Sequence, residues 1–173
     1  EWGGLVEVLD RHPHVWLLSD DIYEHLVYDG QRYAHPLAIQ PALRERTVLV
    51  NGVSKAYAMT GWRIGYAAGP KALIGAMTAV QGHVTSGASS ISQAASVAAL
   101  NGPQEIVAER RDIFQERRDS IVAALNEAPG IDSLMPDGAF YVLPSCAGVL
   151  GGRAHSGDVI DSDLTFCQYL LDT

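Results

Sequence analysis

Lys55 is the first residue whose position suggests chemistry. It follows an apolar run, residues 47–50, through Asn51 and Gly52, and no carboxylate is near it in the sequence. A lysine amine that is partly desolvated in a cleft can act as a nucleophile and form a Schiff base with a carbonyl. A solvated loop lysine is the alternative interpretation of the same spacing.

Arg63 lies eight residues after Lys55, inside an apolar run that predicts a strand over residues 62–67. A guanidinium within such a strand needs a partner, because an unpaired buried charge is costly. Its fork can donate two parallel hydrogen bonds to a phosphate dianion. An internal pair with a carboxylate is the alternative.

Asp20 and Tyr23 follow a second apolar run, residues 15–18. Such a short unbroken run is typical of a strand covered on both faces, and open α/β sheets place ligands at the carboxyl ends of their strands. A buried carboxylate there can keep a ring nitrogen protonated, and the tyrosine hydroxyl can hydrogen-bond a phenolate oxygen. Two adjacent acidic residues in a solvated turn are the alternative.

Strands that alternate with helical connections indicate an α/β layer fold for the first part of the chain, and small α+β structure follows. We place the boundary near residue 105, within the amphipathic stretch that begins at Gln104. Strands are predicted at residues 15–18, 47–50, 62–67 and 139–143. Helical segments are predicted at residues 5–11, 36–46 in part, 70–80, 91–100, 104–127 and 162–171, with loops at 82–90 and 148–161.

The composition is that of a soluble globular protein: 173 residues, 47% hydrophobic and 18% charged. A net charge of -8 argues against a nucleic-acid or anionic-membrane partner, and no apolar run is long enough to span a bilayer. Cys146 and Cys167 have no metal-ligand spacing and are too few for a disulfide framework, which favours reduced thiols in the cytoplasm and no metal site.

Two segments of the chain resemble signature segments of class I aminotransferases, which are fold-type I enzymes that use pyridoxal 5'-phosphate (PLP). The segments are SDDIYEH at residues 19–25 and NGVSKAYAMTGWRIGY at residues 51–66. The closer similarity is to the bacterial aspartate aminotransferase branch. It extends over essentially the whole chain and includes GAFY at residues 138–141.

The resemblance implies a role for each of the four residues. Lys55 holds PLP as a Schiff base and carries the proton between the substrate α-carbon and the cofactor. Asp20 pairs with the pyridine nitrogen, Tyr23 contacts the phenolate oxygen, and Arg63 binds the phosphate. The resemblance also implies that residues 1–105 belong to the large PLP-binding domain, with a mostly parallel sheet between helices. Residues 106–173 would then be a linker helix and part of the small α+β domain.

The implied reaction moves an amino group from aspartate or a similar amino acid to a 2-oxo acid such as 2-oxoglutarate. Another reaction on the same lysine, elimination or decarboxylation, is an alternative, as is an inert fragment. The family is homodimeric, and the loop at residues 82–90 would approach the partner's active site. No lysine or arginine occurs between Lys71 and Arg110, so the partner-loop arginine that holds the distal carboxylate in some aspartate-specific relatives is absent.

Other expected features of the family are missing or changed. Gly52 stands where many relatives have a phosphate-binding serine, with Ser54 nearby instead. The chain does not begin with Met, which we interpret as a fragment or a processed chain. The resemblance puts the Gly-rich phosphate turn, the ring-stacking aromatic and the asparagine at the phenolate oxygen before residue 1. It puts the arginine that binds the substrate α-carboxylate after residue 173.

Overall fold

The computed structural model describes residues 2–172. Within that range, the chain forms helices and strands in two compact units, of which the first ends at Arg111 and the second begins at Asp112. The assignment of these units to a large cofactor-binding domain and a small domain stays a prediction. In chain order the elements are α1 (Trp2–Arg11), β1 (Leu17–Asp20), α2 (Pro36–Ile39), β2 (Thr47–Gly52), β3 (Gly65–Ala68), α3 (Lys71–Val84), α4 (Ser90–Asn101), α5 (Glu105–Glu127) and α6 (Asp163–Asp172).

The sheet of the first unit has the order β1-β2-β3. β1 pairs with β2 in parallel, from Leu17 opposite Thr47 to Asp20 opposite Val50. β3 is antiparallel to β2, and its first residue, Gly65, lies opposite the last residue of β2. The carboxyl ends of β1 and β2 and the beginning of β3 therefore lie at one edge of the sheet.

α1 is fixed to the sheet region by a small apolar core. Val6 and Leu9 are three residues apart, which puts them on one helix face, and both are buried with Leu43. Leu17 at the start of β1 and Leu37 in α2 pack against the same cluster. The helix predicted at residues 5–11 is thus confirmed, although it starts earlier.

The strand predicted at residues 15–18 is confirmed with shifted bounds, because residues 12–15 form a turn. The Val15 N–H donates to His12 O at 3.0 Å. The Arg46 guanidinium stabilises this turn by donating to His12 O at 3.0 Å and Val15 O at 2.7 Å. It also donates to Leu9 O at 2.8 Å, which satisfies a carbonyl at the end of α1.

The other predicted helices are confirmed with small differences at their ends. The connection at residues 36–46 is helical, with α2 followed by a 3-10 helix at Pro41–Arg46. α3 continues to Val84, so the loop predicted from residue 82 begins later. None of the described helices is both long and apolar enough to cross a bilayer.

The strand predicted at residues 62–67 is wrong in its first half. Thr60–Trp62 forms a 3-10 helix, and β3 begins only at Gly65. Arg63 ends that helix in the left-handed region, with φ 54°. This conformation is incompatible with a strand, so Arg63 lies before β3 and not within it.

The second unit contains the larger part of α5, irregular segments and α6. Arg118 of α5 is buried, and it donates to Asp119 Oδ1 from Nε at 2.8 Å and to Pro136 O from Nη1 at 2.9 Å. The strand predicted at residues 139–143 is wrong, because Ala139 has φ 58° and the residues after it adopt no regular structure. A positive φ at a non-glycine residue interrupts an extended backbone.

Candidate active site

Lys55 lies in a tight turn that follows β2, and buried neighbours determine its position. Val53 and Ala56 on either side have 0% and 4% of their surface exposed. The Ala58 N–H donates to Lys55 O at 3.2 Å, and Arg110 Nη1 in α5 donates to Ala56 O at 3.3 Å. The backbone on both sides of Lys55 is therefore fixed, while the side chain itself is only half-buried.

Tyr23 is the predicted site residue that the structure brings against Lys55. The Lys55 Nζ atom lies 5.8 Å from the centroid of the Tyr23 ring. This distance is within the range of a cation–π contact. The contact joins the turn after β1 to the turn after β2, as expected for the carboxyl ends of neighbouring parallel strands.

Asp20 ends β1 on the same edge, but it is exposed, contrary to the expectation of a buried carboxylate. Its Oδ1 accepts a hydrogen bond from the Ile22 N–H at 3.2 Å. The buried carboxylate is that of Asp21, which has 3% of its surface exposed. Successive side chains along a strand point to opposite faces, so one of two adjacent aspartates is buried and the other remains accessible to a ligand.

Arg63 is exposed, and its Nη1 donates to Thr60 O at 2.8 Å. Among residues 2–172 no carboxylate forms an ion pair with this guanidinium, so the alternative of an internal ion pair is not realised. Because β3 starts opposite the end of β2, Arg63 is at the sheet edge where Asp20 and Lys55 also lie. A guanidinium held by its own turn and open to solvent suits an anionic ligand.

The backbone explains why glycine occupies position 52. A Cβ atom there would lie 2.8 Å from Ile64 O and 3.2 Å from the Gly65 Cα. The close approach of Ile64 and Gly65 therefore leaves no room for the serine that the resemblance leads one to expect at this position. Ser54 is half-buried beside Lys55.

A polar link that sequence reasoning missed connects the two turns. Asn51 Nδ2 donates to Glu24 Oε1 at 2.6 Å, and Asn51 Oδ1 accepts from the Gly52 N–H at 2.7 Å. Burial raises the pKa of Tyr66, and the negative charge of Glu24 raises it further. From the sequence alone, Glu24 would be predicted to be a solvated surface residue. Its contact with Asn51 depends on the parallel pairing of β1 and β2.

The four predicted residues fit the groups of PLP in their chemistry. Lys55 offers an amine for the aldehyde, and Tyr23 offers a phenol beside that amine. Asp20 offers an exposed carboxylate for the pyridine nitrogen, and Arg63 an exposed guanidinium for the phosphate. All four lie at one edge of the sheet.

The aminotransferase class I and II family matches residues 1–173. The chain belongs to this family. The resemblance found in the two motif segments is thereby confirmed.

Curated members of the family cover nearly all of this chain. The aspartate aminotransferase of Rhizobium meliloti strain 1021 is 61% identical over 172 residues, which are 99% of this chain and 42% of that protein. The aspartate/prephenate aminotransferase of Cereibacter sphaeroides is 52% identical over 172 residues, again 99% of this chain and 43% of that protein. The chain thus spans less than half the length of the curated relatives it matches.

Solved structures of family members show the same fold. The crystal structure of the aspartate aminotransferase from Rhizobium meliloti superposes with a TM-score of 0.95 at 60% identity, over 99% of this chain and 43% of that one. A tetra mutant of Thermus thermophilus aspartate aminotransferase superposes with a TM-score of 0.80 at 34% identity, over 99% of this chain and 44% of that one. The predicted fold class, part of the α/β fold of PLP-dependent aminotransferases, is confirmed.

Proposed function

We propose that this chain is the lysine-bearing part of a PLP-dependent aminotransferase that moves an amino group from aspartate, or a similar amino acid, to a 2-oxo acid such as 2-oxoglutarate. The observation that carries the proposal is the contact between Lys55 and Tyr23 at the sheet edge that also holds Asp20 and Arg63. Membership of the aminotransferase family supports it.

Each residue has a defined task in this proposal. Lys55 Nζ is the atom of covalent attachment, and the free amine takes the proton from the substrate α-carbon. The Tyr23 hydroxyl would donate a hydrogen bond to the phenolate oxygen of bound PLP and so orient the ring. When bound, PLP supplies a conjugated ring that accepts the electron pair left at the α-carbon.

Asp20 and Arg63 would each bind a charged group of the cofactor. The Asp20 carboxylate keeps a facing ring nitrogen protonated, because its negative charge favours the cationic form. The Arg63 guanidinium binds phosphate oxygens through donors that Thr60 does not occupy. A charge-assisted pair of this kind fixes the register of a ligand as well as its affinity.

Aspartate is the proposed amino donor because relatives at 52% and 61% identity are named for it. The stretch between Lys71 and Arg110 contains no lysine or arginine, so in our proposal other parts of the protein bind the distal carboxylate of aspartate. Since relatives are also named for prephenate, that oxo acid belongs beside 2-oxoglutarate among the acceptors to be assayed. We also propose that the complete enzyme is a homodimer and acts in the cytoplasm.

The attachment site can be tested directly, because Lys55 and Lys71 are the only lysines in this chain. The complete enzyme would be reduced with borohydride in the presence of PLP, digested and mapped by mass spectrometry. We expect the phosphopyridoxyl mass on Lys55, its loss in Lys55→Arg and its retention in the matched control Lys71→Arg. A label on Lys71, or on any other lysine of the complete enzyme, in place of Lys55 would refute the assignment.

The reaction itself needs a separate measurement on the same material. We expect aspartate and 2-oxoglutarate to give oxaloacetate and glutamate in equal amounts. Release of ammonia or carbon dioxide from the amino acid, with no glutamate formed, would favour an eliminating or decarboxylating enzyme on the same lysine.

A further inference from the structure

The buried carboxylate of Asp21 lies next to Asp20 and has several hydrogen-bond donors around it. Ser19 Oγ donates to Asp21 Oδ1 at 2.6 Å. The Tyr33 hydroxyl also donates a hydrogen bond to Asp21. His35 Nε2 lies 3.3 Å from Asp21 Oδ2. A buried charge needs such partners, because each missing hydrogen bond leaves part of its desolvation cost uncompensated.

Burial raises the pKa of Tyr33, and the hydrogen bond to Asp21 and the negative charges of Asp21 and Glu24 raise it further. The phenol therefore keeps its proton and remains a donor to the carboxylate. No Lys or Arg in the described part of the chain pairs with Asp21.

The hydrogen bond at Nδ1 of His35 determines which ring nitrogen carries the proton. Nδ1 accepts a hydrogen bond from the Leu37 N–H at 3.1 Å and so caps the start of α2. A neutral imidazole has one donor and one acceptor nitrogen, which assigns the proton to Nε2. This Nε2 is buried and forms no aligned hydrogen bond, although Asp21 Oδ2 is close. A buried polar atom of this kind requires an explanation.

Asp21 connects this cluster to the proposed active site. Its N–H donates to Val50 O at 2.8 Å, which continues the pairing of β1 with β2 by one residue. Its carbonyl accepts from the Glu24 N–H at 2.9 Å and closes the turn that carries Tyr23. Asp21, whose carboxylate accepts from Ser19 and lies 3.3 Å from His35 Nε2, therefore joins Asp20 to the turn that carries Tyr23.

We propose that His35 is a positioning residue: through its Nε2–H it holds Asp21, and thereby fixes Asp20 and Tyr23 in the geometry required for catalysis. This inference rests on the proposed function. His35 itself touches neither Lys55 nor a substrate, so its effect is on the orientation of the turn. Small displacements of such a turn have large consequences, because catalysis depends on near-exact alignment of the reacting groups.

Two substitutions of His35 in the complete enzyme test the roles of its two nitrogens separately. His35→Asn places an amide oxygen near the Nδ1 position, which keeps the cap of α2 but loses the donor to Asp21. His35→Gln places an amide N–H near the Nε2 position, which keeps the donor but loses the cap. We expect His35→Asn to lower kcat about tenfold with KM for aspartate unchanged, and His35→Gln to remain within about twofold.

The melting temperatures should follow the opposite order, with His35→Gln the less stable variant because α2 loses its cap. The visible spectrum of bound PLP should change in His35→Asn and not in His35→Gln. His25→Gln is the matched control, since His25 is an exposed imidazole in the same turn, and both its kcat and its spectrum should be those of the wild type.

Wild-type kcat and spectrum in His35→Asn would overturn the inference, as would an equal loss of kcat in both His35 variants. If His35→Asn fails to fold, Tyr33→Phe removes one donor from Asp21 at a partly exposed residue and should lower kcat about threefold. An unchanged kcat in that variant would also overturn it. A wild-type enzyme without transaminase turnover would instead refute the proposed function, and this inference with it.

Discussion

Two adjacent aspartates at the carboxyl end of β1 have different environments. In our proposal Asp20 binds the cofactor, whereas Asp21 fixes the turn that follows the strand. Asp20 is exposed and available to a ligand, while Asp21 is buried among donors. The sequence predicts that an acidic pair lies at this strand end, and the family motif identifies Asp20. It does not reveal the role of Asp21, because His35 reaches it only after the chain has folded.

Replacing Asp20 by Asn should reduce turnover more than cofactor retention. The amide cannot hold a facing ring nitrogen in its cationic form, whereas Arg63 and Lys55 still bind the cofactor. We expect kcat to fall about a hundredfold or more, because the lost charge acts mainly in the transition state. Steady-state kinetics and PLP titration of the complete enzyme measure the two effects separately.

The control for that variant is Glu7→Gln, which removes an exposed carboxylate from α1 at a distance from the strand ends. It should leave both quantities unchanged. Near-normal turnover of Asp20→Asn with PLP bound would contradict the role assigned to Asp20.

At the scale of the elements, the helices could be predicted well and the strands less well. Helical periodicity is a local property, so α3, α4 and α5 lie close to their predicted bounds. A strand requires a partner and a compatible backbone, which a short apolar run does not specify. Arg63 and Ala139 both have positive φ values, and each interrupts a run that had predicted a strand.

The pairing of β2 with β3 explains a residue that the family pattern alone leaves unexplained. A Cβ atom at position 52 would collide with the backbone of Ile64 and Gly65, so Gly52→Ala must displace the start of β3. We expect a loss of about 1–3 kcal/mol in the free energy of unfolding, as for other overpacked sites. Because Arg63 lies just before β3, the affinity for PLP should fall in the same variant.

Gly75→Ala is the matched control for this substitution. Position 75 lies inside α3, and nothing lies within 4 Å of an added Cβ atom there. Alanine is the better helix former, so stability should rise by up to about 1 kcal/mol. Denaturant unfolding of both variants tests the argument, and equal stabilities would show that the close approach at Gly52 is unimportant.

At the scale of the whole molecule, many large apolar side chains are exposed in both units. Leu18 on β1 is 69% exposed, Leu143 is 94% exposed, and Leu171 in α6 is 81% exposed. Large apolar side chains exposed in such numbers are typical of faces that other structure covers. The sequence predicts that a sheet without the strands before residue 1 exposes apolar faces, but it does not predict which side chains form them, because the pattern does not distinguish a covered side chain from an exposed one.

We expect the 173-residue chain, expressed alone, to show no appreciable transaminase activity. It spans 42% of the Rhizobium meliloti relative, and it supplies Lys55, Asp20, Tyr23 and Arg63. The resemblance assigns the ring-stacking aromatic, the Gly-rich phosphate turn and the α-carboxylate arginine to other parts of the enzyme. Since orientation of both substrate and cofactor supplies much of the rate enhancement, four residues at one sheet edge are insufficient. Intact mass and a coupled assay with aspartate and 2-oxoglutarate test this prediction. Robust turnover from material with the 18.6 kDa mass of this chain would refute it.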